Sequence, residues 1–197
     1  SVSFLTKFGK FSFLCCGDLT HKIETKLMTP NNPLGKVELF MVTHHGLGVS
    51  NHPALVLAID PRVCVMCNGP TKGCDPSTNA TLRQIKSLQA LYQLHRNVRL
   101  KPDEQTLAEF IANNVDDTAS CQGTFVKTSV APGGESYTVQ IGLDGKPLGT
   151  LGAEPIGYPL EDRQIVIVEP PHQPAVQAVC NFFLVKEPSQ SLEMRLG

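Results

Sequence analysis

The apolar positions of this chain fall into runs of two kinds. The first kind is short and dense. Two Phe-rich runs over 2–8 and 11–16 are separated only by Gly9-Lys10, a spacing that predicts a hairpin. The run over 36–43 is apolar almost throughout from Leu39, as expected of a strand buried on both faces. Further strands are predicted over 62–67 and 90–94. The second kind has helical spacing. Ile23, Leu27 and Met28 share a face over 21–28, and Leu82, Ile85 and Leu88 share one over 78–88. A helix through 54–58 has Ser50 or Asn51 as its cap, Pro53 in its first turn and Asp60-Pro61 as its stop. The stretch 105–112 also reads as helical, with Leu107, Phe110 and Ile111 inward.

The βα alternation from 36 to 94 predicts an α/β layered domain. Strands over 123–130 and 137–141, joined at Pro132-Gly-Gly134, predict a second hairpin. From Lys146 the pattern loosens, although 164–168 and 179–185 are strand-like. We therefore divide the chain into a domain over 1–145 and an appended segment of uncertain order over 146–197.

Composition narrows the function classes. At 197 residues and 41% hydrophobic, the chain has the material for one proper core. Its formal net charge of −1 gives no bulk support to a nucleic-acid or membrane-surface partner. No run approaches the roughly 18 apolar residues of a membrane span. The opening Ser1-Val-Ser-Phe-Leu-Thr has no basic region or cleavage site, and it starts on strand-like sequence, as a fragment or processed chain would. Seven cysteines, an odd number mostly inside apolar runs, predict buried thiols rather than a disulfide framework. On their strands, Cys64 and Cys67 project to opposite faces, as do Cys15 and Cys16, which argues against a metal knuckle. Asn79-Ala-Thr81 matches a glycosylation acceptor at a predicted helix start.

The candidate chemistry lies where two apolar runs end. One ends in Gly17-Asp18 and the other in His44-His45-Gly46. Parallel strands would put both at one rim of a sheet, where α/β sites lie. Aspartate with histidine is a donor set suited to Zn²⁺, or to Fe or Mn. The loop over 68–76 follows the next strand and should face the same rim, offering Asn68 and Lys72 to an anionic substrate group. His95 ends the strand after that and is a further rim candidate.

Phe11-x-Phe-Leu-x-x-Gly-Asp-Leu-Thr20, followed by Val37-Glu-Leu-Phe-Met-Val-Thr-His-His-Gly46, resembles the second half of the metallo-β-lactamase-fold hydrolases. It is most similar to the His-His-Gly branch, which includes the hydrolase-like domain of DNA-uptake competence proteins. The resemblance spans roughly residues 1–142. It implies the C-terminal half of an αββα four-layer sandwich, with a two-metal site at one edge. Asp18 would bridge the metals, His45 would complete one metal's shell, and His44 would stand beside it. Metal-bound hydroxide would attack an ester, amide or phosphoester of an unknown small-molecule or phosphoester substrate. The family's other ligands lie in a His-x-His-x-Asp-His motif, which this sequence does not contain. The resemblance thus implies an incomplete metal site and an isolated half-sandwich with one bare sheet face. The alternative is a degenerate member that acts as a binding domain.

Overall fold

A computed structural model describes residues 1–116, 118, 124–143, 146–153, 166–168, 182–186 and 192–196. Its first hairpin is the one expected from the sequence. β1 (Ser3–Phe8) and β2 (Phe11–Cys15) pair antiparallel around a left-handed Gly9. Each later strand then joins the growing edge in parallel: β3 (Leu39–Met41), β4 (Val63–Met66), β5 (Ala90–His95) and β6 (Ile111–Asn113). Helices α1 (His21–Leu27), α2 (Pro53–Ile59) and α3 (Pro76–Leu82) lie in the connections. β10 (Val166–Val168) closes the other edge against β1, giving a seven-stranded mixed sheet. β7 (Phe125–Val130), β8 (Tyr137–Leu143), β9 (Lys146–Ala153), β11 (Phe182–Lys186) and β12 (Leu192–Leu196) form a five-stranded antiparallel sheet. The chain is thus a mixed α/β protein, and strands from 146–197 hydrogen-bond into both sheets.

The two-residue period of the strands sorts their side chains into two cores. Leu14, Cys16, Phe40, Val42, Cys64 and Met66 face the helices and meet Leu55, Val56 and Ile59 of α2. Phe11, Phe13, Leu39, Met41, Val63 and Val65 face the other way and meet Val126, Val130, Val139 and Ile141 of the second sheet. Cys15 and Cys16 divide between these cores, as do Cys64 and Cys67. The five described cysteines form no disulfide with one another, and Cys121 and Cys180 lie outside the described residues. Fully burying one such Phe or Leu contributes roughly 1.5–3 kcal/mol. A bare face on the central sheet, expected of an isolated half-sandwich, is not what the described residues show: helices cover one face and β7–β8 the other.

The rim at the amino ends of the parallel strands is tied to the second sheet. The turns at Gly9 and Pro132–Gly134 cross so closely that a Cβ on Gly134 would sit 1.8 Å from the Phe8 carbonyl oxygen. Beside them, buried Glu38 accepts from the Tyr137 hydroxyl at 3.4 Å and pairs with Arg62 at 3.6 Å. Asp60 joins Lys36 at 2.7 Å and the Ser87 hydroxyl at 2.9 Å.

Three local expectations change. His52, not Ser50 or Asn51, caps α2, with its ring Nδ1 accepting the Ala54 N–H at 3.1 Å. α3 starts earlier, with Pro76 in its first turn, and ends at Leu82 in tighter turns that still bury Ile85. The stretch 105–112 is not an α-helix. The Gln93 amide oxygen accepts the Thr106 N–H at 2.8 Å and the Thr106 hydroxyl donates to the Leu91 carbonyl at 2.7 Å, which draws the segment alongside β5. Only a short 3-10 turn, Ala108–Phe110, forms before β6, and Leu107 is 63% exposed rather than inward. No helix of the described residues is long and apolar enough to cross a membrane.

Candidate functional site

The parallel strands β2 to β5 end at one rim, and both sequence motifs lie there. After β2 the chain turns at Gly17, whose φ of 54° suits glycine. Half-buried Asp18 follows, with its N–H donating to the Ser1 hydroxyl at 3.1 Å. Its carboxylate has no hydrogen bond to another described residue. After β3, Thr43 leads into three consecutive left-handed residues: His44 (φ 54°), His45 (φ 58°) and Gly46 (φ 79°). An L-residue in that region costs roughly 1–2 kcal/mol, so the surroundings must hold the turn.

Several bonds do so. The Asn51 side chain grips both backbone groups of Thr43, accepting its N–H at 2.8 Å and donating to its carbonyl at 2.9 Å. The His44 N–H donates to the Gly17 carbonyl at 2.9 Å, tying the two motif loops together. From behind, Cys74 N–H donates to the His45 carbonyl at 3.0 Å and Asp75 N–H to the Gly46 carbonyl at 2.8 Å. Gly73 permits this approach, because a Cβ there would lie 2.0 Å from the His45 oxygen.

The His45 ring has a defined tautomer. Its Nδ1 is 2.8 Å from the Cys67 carbonyl, which only accepts, so Nδ1 carries the proton. In the neutral ring the lone pair is then on Nε2, which has no partner among the described residues. A backbone carbonyl orienting the far nitrogen is the arrangement that metal-binding and general-base histidines share. His44 Nδ1 is 3.3 Å from the Ser50 hydroxyl, and its ring lies 6.2 Å from that of His45, centroid to centroid.

The remaining candidates divide. Lys72 is exposed in the loop. Asn68 and His95 are brought together but buried, with the Asn68 amide donating to the His95 carbonyl at 2.7 Å. Burial pushes the His95 imidazole below its usual pKa, which favours the neutral ring. Cys74 is buried behind the turn, and burial pushes its thiol up to about 11, so it stays protonated near neutral pH. Asn79 is buried too, its amide donating to the Glu104 carbonyl at 2.7 Å, which closes it to glycosylation in this fold.

Among the described residues, no three His, Cys, Asp or Glu side chains are grouped to hold a metal ion. Asp18, His44 and His45 share the rim without closing into such a site. These residues alone do not fit a resident zinc, iron or manganese ion. A cleft of about 260 Å³ between Arg83, Leu88, Leu91, Leu107 and Phe110 shares no lining residue with the turn.

Sequence reasoning missed the residues that hold the turn. Asn51 looked like a helix cap, and the Cys67 contribution is a carbonyl, which every residue type carries. Glu24, whose carboxylate accepts the Asn51 N–H at 2.9 Å, left a readable signal: it shares the inward face of α1 with Leu27, and it is wholly buried. Comparison with known proteins finds no matching family model, no matching curated protein and no matching solved structure.

Proposed function

We propose that this chain carries part of the site of a metal-dependent hydrolase of the metallo-β-lactamase fold. It would contribute Asp18 and His45 as donors, with His44 beside them. The observation that carries the reading is His45, whose strained turn and Cys67 hydrogen bond leave Nε2 available at the rim that bears Asp18. The sandwich of helices, mixed sheet and antiparallel sheet is compatible with that fold, and the resemblance of the two motifs supports it. The remaining ligands would come from a segment bearing the His-x-His-x-Asp-His pattern. Zinc suits the donor set, with iron or manganese as variants. The reaction class is hydrolysis of an ester, amide or phosphoester. Metal content decides the matter, measured by mass spectrometry on the protein expressed from its own reading frame, alongside Asp18→Asn and His45→Gln. Stoichiometric metal in the wild type and its loss in both variants is the expected result. A metal-free wild type, or equal metal in the variants, overturns it.

One observation favours a second reading. No three-donor group exists among the described residues, which suits a degenerate member whose rim binds a ligand without turning it over. Hydrolase activity abolished by Asp18→Asn would decide against that reading.

A further inference from the structure

α1 grips the loop behind the histidine turn residue by residue. The His21 N–H donates to the Val49 carbonyl at 2.9 Å, and the His21 ring Nε2–H donates to the Ser50 carbonyl at 2.7 Å. One turn further along, the Glu24 carboxylate accepts the Asn51 N–H at 2.9 Å on one oxygen and the His52 N–H at 2.7 Å on the other. Four consecutive residues are thus held by two side chains and one main-chain group of a single helix. Glu24 has no exposed surface, and burying a carboxylate is costly unless its charge is used. Here both oxygens are spent on N–H groups that lie next to the candidate site. Asn51 then passes the constraint on. Its backbone is left-handed, with φ 67°, and its side chain holds both backbone groups of Thr43, the residue before His44.

We propose that Glu24 and Asn51 are positioning residues for His45. The Glu24 carboxylate fixes the Asn51 main chain, and the Asn51 side chain fixes Thr43. The turn is then held with His45 Nδ1–H on the Cys67 carbonyl and Nε2 bare. Asp18 lies three residues before α1 and next to Gly17, whose carbonyl accepts the His44 N–H at 2.9 Å. The proposal rests on His45 being the functional donor of the site. It requires that loosening either clamp residue frees the imidazole while the two cores stay packed. A network that merely stabilises α2 would instead cost stability and leave the imidazole unchanged.

The discriminating experiment is nitrogen-15 NMR of the histidine rings at a pH where they are neutral, with His45→Gln identifying the His45 signals. Glu24→Gln keeps the shape but replaces two acceptors by one acceptor and one donor. Asn51→Gly keeps the left-handed backbone and removes both bonds to Thr43. In the wild type, His45 should show one protonated and one bare nitrogen, as for the pure Nδ1–H tautomer. In both variants the two nitrogen shifts should move toward each other as the tautomers interconvert, with amide signals away from 43–52 unchanged. Unchanged His45 signals in a folded variant overturn the proposal. So does loss of the fold in both variants, since the network would then be a stability element. A protein without bound metal that still shows the His45 response sinks the hydrolase reading and leaves the clamp standing.

Discussion

The two ends of the parallel strands meet the same demand in different ways. Both need left-handed backbone to turn the chain sharply. The amino-end rim mostly uses glycine for it, at Gly9, Gly35, Gly133 and Gly134, with Asp60 ending α2. The carboxyl-end rim also uses glycine, at Gly17, Gly46 and Gly73, but adds His44, His45, Asn51 and Cys74. A left-handed glycine is cheap, whereas an L-residue there costs roughly 1–2 kcal/mol. One rim is therefore built to lock two sheets together, and the other keeps strained side chains. Strain of that kind persists where the surroundings over-determine it, and here it coincides with the residues singled out for chemistry.

The largest effect that tests this contrast is at the locked rim. Gly134→Ala puts a Cβ 1.8 Å from the Phe8 carbonyl oxygen at a φ of 73°, so backbone must move. Urea unfolding should show a loss of about 3 kcal/mol or more. A change under about 1 kcal/mol would mean the two turns do not lock the sheets.

At the strained rim the sign reverses. His44→Gly relieves roughly 1–2 kcal/mol of left-handed strain, less about 0.4–1 kcal/mol for the greater freedom of the unfolded glycine. The net expectation is a protein about 0.5–1 kcal/mol more stable by the same unfolding measurement. A clear destabilisation would show that His44 is retained for packing, and the contrast between the rims would fail.

The smallest effect concerns one carboxylate from each rim. Burial pushes the Glu24 carboxyl above its usual range, against the N–H bonds from His52 and Asn51. Its contribution to stability is thus fully present below the unfolded pKa and declines as pH rises through the folded one. Asp60 behaves oppositely. Burial works to raise it, but the Lys36 ammonium and the Ser87 hydroxyl and N–H outweigh that and hold it low. Its contribution is present above the unfolded pKa and is lost as pH falls through the folded one. Acidification from neutral pH through the carboxylate range should therefore move stability in favour of wild type over Glu24→Gln. The same titration should narrow the deficit of Asp60→Asn. Parallel pH profiles for the two variants would erase the distinction.

Much of this was legible from local pattern. Dense apolar runs marked β2, β3 and β4, and alternation along them placed Cys15 opposite Cys16 and Cys64 opposite Cys67. Glycine and proline marked both hairpins. Asp18 and the histidine pair were placed at a common rim because parallel strands must end together. The helix expected over 105–112 failed for a reason the pattern does not contain. Gln93 and Thr106 offered that segment hydrogen bonds with β5, and these won over its weak helical spacing.

The sequence by itself therefore determined β1 to β5, β7 and β8, which way their side chains alternate, and which residues stand where those strands end, whereas β6, β9 and β12 left no strand signal in it. Period and turn chemistry act over a few residues, so they can be read in order along the chain. Only the tertiary structure decided that the second sheet covers the central one, that His45 carries its proton on Nδ1, and that Glu24 and Asn51 hold its turn. Those features rest on bonds between residues far apart in the chain: Glu24 to Asn51 spans 27 positions and His45 to Cys67 spans 22. No local pattern encodes such partners, because each becomes a neighbour only once the sheet has formed.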